Sequence, residues 1–468
     1  MAACQAIFCI LSKKLSTLEL FTRYFVAFEL YFLRVVQDTC YTASTWPRGF
    51  SMPHTAAGST ASPAPSIDFA PALLHGPHHP LDQLSLGKIV QIRERLLAAQ
   101  AQGKRVYRFE SGDPSFAPPA HAIDAITQAA HAGKTHYIPN NGIPELRRAL
   151  ARKVTEKNGL TSITADDIFL TNGAMHALYV AFGALLDSGD EVIIPDPMWT
   201  EVAENIRLAG GVPVGVQLHA AHNFAYRVDD IAQAITPRTK AIFLNTPHNP
   251  TGAVLSRDEL SAILDLARRH DLYVVSDEAY EDVIYAPHVH HSIGSLAHPN
   301  EARVISIFSF SKSHAMSGLR TGYIVTRDPV LHDRIPKLLR CTINGVNSLA
   351  QWAALAAVTG SDAHIVDMRE IYHERRDIML RALTGLHGVR PFVPRGAFYV
   401  WVELDESVYE RLEVADASAL ATLLAEQGIG CAPGDAFGVT CSDALRFAFS
   451  CDTAMVREGS VLLREALT

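Results

Sequence analysis

Between about residues 120 and 340 the chain alternates short apolar runs with amphipathic stretches of helical period. The runs Ile168-Phe169-Leu170, Ala241-Ile242-Phe243-Leu244, Leu272-Tyr273-Val274-Val275 and Val304-Ile305-Ser306-Ile307-Phe308 lack the polar alternation of a strand with one wet face. They read as buried strands, and the helical patterns between them read as crossovers. The alternation predicts an α/β chain with a doubly wound, mostly parallel sheet. Upstream, residues 86–101 read as a helix with interspersed Arg and Lys, and 105–110 as a short strand. Downstream, a helical stretch over 347–383 opens an α+β pattern that runs to the end. The expected division is a large domain over 126–344 and a smaller one built from 82–125 and 345–468.

Residues 1–81 follow another rule. Positions 1–51 are rich in aromatics, and 52–79 form a Pro/Ala/Ser/His-rich run expected to be disordered. Lys13, Lys14, Arg23 and Arg34 among apolar residues resemble a targeting presequence, but Glu19, Glu29 and Asp38 interrupt it. The expectation is that translation starts at Met52 and that residues 1–51 are not native. A species of intact mass beginning at Met1, made from the natural gene context, would refute it.

The strand ends carry the chemistry. In open α/β sheets ligands gather beyond the carboxyl ends of the strands, and three such ends display Asn249, Asp277 and Lys312 in chain order. Lys312 lies among small hydroxyl residues in Ser309-Phe310-Ser311-Lys312-Ser313, as a carbonyl-reactive amine or a solvated surface charge. Asp277 closes a buried strand, where a carboxylate needs a partner to offset its desolvation; a protonated pyridine nitrogen would serve. The segment 168–178 runs strand, small-residue turn, helix, so the amides at Gly173, Ala174 and Met175 could hold phosphate oxygens, or the turn could be a plain cap. Arg446, inside an apolar strand pattern, needs an anion.

The ordered set Asn249-Pro250-Thr251-Gly252, Ser276-Asp277-Glu278-Ala279-Tyr280 and Ser309-Phe310-Ser311-Lys312 resembles the fold-type I pyridoxal-phosphate enzymes, specifically the class I/II, aspartate aminotransferase-like family, over about residues 82–468. The resemblance implies a seven-stranded, mostly parallel sheet with helices and a smaller α+β domain, pyridoxal 5'-phosphate as cofactor, and a homodimer with shared active sites. It also implies ping-pong transfer of an amino group from an L-amino acid to a 2-oxo acid. Lys312 would form the Schiff base with the cofactor, be displaced by the substrate amine and then move the substrate Cα proton. Asp277 would keep the pyridine nitrogen protonated, and Asn249 and Tyr280 would bond the ring hydroxyl oxygen. Gly173, Ala174, Met175, Ser309 and Arg320 would hold the phosphate, joined by Tyr137 of a neighbouring subunit. Trp199 would pack on the ring. Arg446, with the Gly112 amide, would grip the substrate α-carboxylate, and Trp199 and Asn249 would also face the substrate. Some aspartate-specific relatives place a lysine where Met175 stands, so neutral or apolar substrate side chains are expected, with glutamate still possible as the second amino donor.

A β-elimination lyase or synthase remains open on the same scaffold, because fold and cofactor do not set the reaction. A cofactor-binding transcription regulator would need an N-terminal winged helix that residues 1–81 do not supply. Composition narrows the rest. With 468 residues, 48% hydrophobic and a formal charge of −8, the chain can bury a large core and is not suited to nonspecific nucleic-acid binding. Seven cysteines without close metal-ligand pairs fit a reducing, cytoplasmic setting. No metal site is expected, and no apolar run is long and charge-free enough to span a bilayer.

Overall fold

The computed structural model describes Leu81, Leu84 and residues 87–468 except Asn300. The expected Met52 start and the N-terminal extension lie outside the described residues. A seven-stranded sheet forms the centre, from β1 (Ile168–Thr171), β2 (Glu191–Asp196), β3 (Val212–Gln217), β4 (Thr239–Asn245), β5 (Tyr273–Asp277), β6 (Val304–Ser309) and β7 (Gly322–Val325). Its order is β1-β7-β6-β5-β4-β2-β3, parallel except for β7, which runs antiparallel to both neighbours. The continuous apolar runs follow from this, since β2, β4 and β6 are buried along almost their whole lengths. Val275, Ile305, Ile307 and Ile324 pack with Phe182 and Leu185 of the helix Gly173–Leu185 on one face. Ile242, Leu244 and Val274 pack with Leu260, Ile263 and Leu264 of the helix Arg257–Arg269 on the other.

A second, antiparallel sheet holds β8 (Val389–Pro391), β9 (Tyr399–Leu404), β10 (Ala432–Pro433) and β11 (Ala444–Ala448), in the order β10-β11-β9-β8. The N-terminal segment joins its core, where Ile92, Leu96, Tyr107 and Phe109 pack with Val400, Leu420 and Phe447.

Two expected elements differ. Residues 105–110 make no strand: Tyr107 alone bridges Ile429, its amide donating to Gly428 O and its carbonyl accepting from Gly430 N, and the Phe109 carbonyl turns to Ala448 N. The segment crosses from one partner to another, so its apolar residues are buried without a ladder. The stretch 347–383 is two helices, Ser348–Thr359 and Ala363–Leu383, because Gly360 ends the first. Among the described residues no helix is long and apolar enough to cross a membrane.

Candidate active site

Parallel pairing sets Asn245 beside Asp277 and Asp277 beside Ile307, so the loops after β4, β5 and β6 leave the same edge of the sheet together. They open on a cavity of about 380 Å³ lined by Asn249, Asp277, Tyr280, Ser309, Lys312 and Arg320. Gly112, Ala174, Met175, Trp199 and Arg446 line it from other segments. Residues more than 330 positions apart thus share one space.

Lys312, in the short helix Phe310–Ser313, is partly buried and donates from Nζ to Gly112 O at 2.6 Å. It makes no ion pair among the described residues. Burial, with Arg320 and Arg446 nearby, lowers its ammonium to about 8, against the opposing pull of Asp113 and Asp277. The lysine therefore yields a neutral, nucleophilic amine at mild pH.

Asp277 is 9% exposed, accepts from the Ala279 amide at 3.0 Å and also lacks an ion pair. Burial raises its carboxyl to about 6, the behaviour of a carboxylate in want of a cation. Arg446, 1% exposed, has no carboxylate either: its Nη1 donates to Asn249 Oδ1 at 3.0 Å, its Nη2 donates to Glu110 O at 2.7 Å, and its Nε has no partner. The guanidinium rests over the Tyr399 and Phe437 rings at 4.4 and 4.7 Å. The Asn249 side-chain oxygen is committed to Arg446, which leaves its amide NH2 group for another acceptor.

Gly173 begins its helix at φ +82°, and a Cβ there would come within 2.6 Å of Arg320 Nη2. Gly322 lets the Gly173–Ala174 backbone lie against β7, where a Cβ would meet Gly173 C at 2.8 Å. Among the described residues Arg320 donates only to the carbonyls of Ser317 and Asn172, at 2.8 and 3.4 Å, and so keeps its charge unpaired beside these amides. Ser309 Oγ accepts from the Ser311 amide at 3.1 Å, leaving its proton to donate. A helix start, a free guanidinium and a free hydroxyl make an anion cradle suited to a phosphate.

The donor set fits pyridoxal phosphate at each end. The cradle suits the phosphate, Asp277 suits a protonated ring nitrogen, and Lys312 suits the aldehyde. Arg446 supplies an anion site beyond them.

Tyr137 stands apart, 91% exposed and outside the cavity. Sequence reasoning assigned no site role to Tyr399, whose Oη lies 2.7 Å from Tyr280 Oη and where a Gly112 Cβ would come within 2.2 Å. It also missed Glu201, Ile89, Val90 and Arg93, which line the same cavity. Glu201 follows directly on Trp199-Thr200, so its position was open to reading; the other contacts join distant segments.

A family model for aminotransferases of class I and II matches residues 104–460. The aspartate aminotransferase of Geobacillus stearothermophilus is 36% identical over 361 residues, covering 77% of this chain and 91% of that relative. The aspartate/prephenate aminotransferase of Thermus thermophilus is 37% identical over 364 residues, with 77% and 91% covered. The solved structure of Thermus thermophilus aspartate aminotransferase with maleate superposes with a TM-score of 0.78 at 34% identity, covering 84% of this chain and all of that one. Amino acids and oxo acids are the substrates of such enzymes. On family, fold and the chemistry of its cavity, this chain belongs to the class I and II aminotransferases and is a pyridoxal-phosphate-dependent aminotransferase.

Proposed function

We propose that the chain carries out ping-pong transfer from an L-amino acid to a 2-oxo acid, with Lys312 as the covalent anchor of the cofactor and the base for the substrate Cα proton. The observation that carries this reading is a partly buried lysine without an ion pair that shares one cavity with Asp277 and Arg446. When bound, pyridoxal phosphate supplies an electron sink for the carbon that loses its proton. Gly173, Ala174 and Met175, through their amides, with Ser309 and Arg320, would hold the phosphate; Asn249 and Tyr280 would face the ring hydroxyl, and Trp199 the ring. Arg446 and the Gly112 amide bind the α-carboxylate, which orients the Cα–H bond toward Lys312 Nζ. Lys312 then receives the Cα proton and returns it on the other side of the transfer. The deciding experiment supplies an amino acid with and without a 2-oxo acid. Catalytic turnover only with the acceptor supports transfer; ammonia release without one would make the protein a lyase.

The apolar part of the cavity lining supports neutral or apolar substrates. Met175, Leu178, Trp199, Ile89 and Val90 form it, and Glu201 adds a carboxyl that burial pushes up. Activity confined to aspartate and glutamate across an amino-acid panel would overturn this.

The lowered Lys312 ammonium sets a pH dependence. The neutral amine attacks the aldehyde, so cofactor capture by apoprotein should accelerate as pH rises toward about 8 and level off above it. Stopped-flow absorbance of bound cofactor reads this directly; a flat profile from pH 6 to 9 would be inconsistent with the lysine as attacking group.

A cytoplasmic homodimer completes the proposal, with the exposed Tyr137 reaching the partner's phosphate cradle and the chain dividing near 126 and 345. Free Cys341, Cys431, Cys441 and Cys451 support the reducing location. Sedimentation as a monomer, or recovery of the native protein outside the cytoplasmic fraction, would refute the respective parts.

A further inference from the structure

β4 ends at Asn245 and β5 at Asp277, and the last parallel pair of the two strands joins these residues. Past this pair the Thr246 amide donates to Asp277 O at 3.1 Å, and the Asn245 side chain adds to the same link. That side chain is 2% exposed. Its Nδ2 donates to Asp277 O at 3.1 Å, and its Oδ1 accepts from the Asn249 amide at 2.8 Å. The Asn249 side-chain oxygen accepts in turn from Arg446 Nη1 at 3.0 Å. Hydrogen bonds therefore run without a gap from Asp277 through Asn245 and Asn249 to Arg446. They join the residue placed for the ring nitrogen to the guanidinium placed for the substrate α-carboxylate.

The two partners fix how the Asn245 amide is turned, because a carbonyl only accepts and a peptide N–H only donates. An ionised carboxylate here would set an oxygen against the Asp277 carbonyl, and an apolar side chain of the same size would bond neither partner. The Asn245 backbone is held from the other side. β2 pairs with β4 only as far as Ile242. Beyond that point the buried Tyr226 hydroxyl takes the place of the strand, accepting from the Asn245 amide at 3.2 Å and donating to the Asn245 carbonyl at 3.4 Å. Asn249 has no such strand to hold it. It lies in a turn closed by bonds between His248 and Ala253 and between Gly252 and His248, and its amide bond to Asn245 fixes that turn against the sheet. A buried amide bonded at both ends moves only by giving up bonds that water does not replace.

We propose that Asn245 is a positioning residue, which sets Asn249, and through it Arg446, in register with Asp277, so that the cofactor ring and the substrate carboxylate are held at one separation. The proposal rests on the roles given above to Asp277, Asn249 and Arg446. Asn245 lines the cofactor cavity, but both ends of its amide are engaged by the protein. It neither attacks the cofactor nor carries a proton; it acts through the residues that it spaces.

The test uses holoenzyme of wild type, Asn245→Leu, Asn249→Ala and the double variant, and reads the pH midpoint of the absorption of lysine-bound cofactor. A donor lost from the ring hydroxyl oxygen favours the protonated chromophore, so each single variant should raise the midpoint by about half a pH unit or more. Because Asn245 acts partly through Asn249, the double variant should raise it by less than the sum. In single-turnover half-reactions with the amino acid that wild type prefers, Asn245→Leu should also weaken substrate binding by about tenfold. An unchanged midpoint in Asn245→Leu, or shifts that add in the double variant, would overturn the proposal and leave Asn249 in its place. So would a variant that melts lower but keeps the midpoint and substrate affinity of wild type. An unchanged midpoint in Asn249→Ala would instead remove Asn249 from the ring hydroxyl, and the proposal would fall with that reading. Asn245→Ser repeats each comparison with a smaller, polar side chain where the leucine variant does not fold.

Discussion

Lys312→Ala is expected to abolish transamination and, with it, the absorption of lysine-bound cofactor. The reason is local. Among the described residues Lys312 is the one lysine in the lining of the cavity, and the other cations there, Arg93, Arg320 and Arg446, are guanidiniums that neither attack an aldehyde nor accept a proton near neutral pH. Both the covalent anchor and the base disappear, so the rate should fall by at least about 10⁴-fold. The proposed phosphate cradle of Gly173, Ala174, Ser309 and Arg320 does not include the lysine, so cofactor should still bind, absorbing as the free aldehyde. Steady-state transfer within about tenfold of wild type would remove Lys312 from the mechanism.

Asp277→Asn should show the complementary pattern, with cofactor retained and proton removal slowed by about 10³-fold. An amide keeps the shape and the hydrogen bond from Ala279 but cannot balance a positive ring nitrogen. In the free protein the carboxyl sits at about 6 because burial is opposed mainly by one amide, and only weakly by Lys312. A cation beside it favours the charged form, and the same pairing holds the ring proton in place. Single-turnover loss of the Cα hydrogen measures the step alone. Near-normal rates in this variant would mean that the ring works without its proton.

Much of the framework was legible because it rests on local patterns. Fully apolar runs predicted buried parallel strands, and each strand end was readable from the polar residue that closes the run: Asn245 in β4, Asp277 in β5 and Ser309 in β6. Where a segment takes its partners one at a time, as Tyr107 and Phe109 do, an apolar pattern cannot distinguish a strand from a buried crossing. Gly360 likewise ended a helix inside a stretch whose composition favoured continuity.

The site divides in the same way. Lys312, Asp277, Asn249, Gly173 and Arg446 could be named from sequence because each is an anomaly in its own segment: a charge, a polar turn residue or a missing side chain at the end or in the middle of an apolar run. Tyr399 had no such mark, and it acquires its place only when β9 comes within hydrogen-bonding distance of Tyr280, 119 residues away. The sequence by itself determined the strand order along the chain, the cofactor class and the residues whose isolation demanded a partner. Only the tertiary structure decided which of those partners is missing, because an unpaired charge or hydroxyl becomes a binding site through the burial that folding imposes on it.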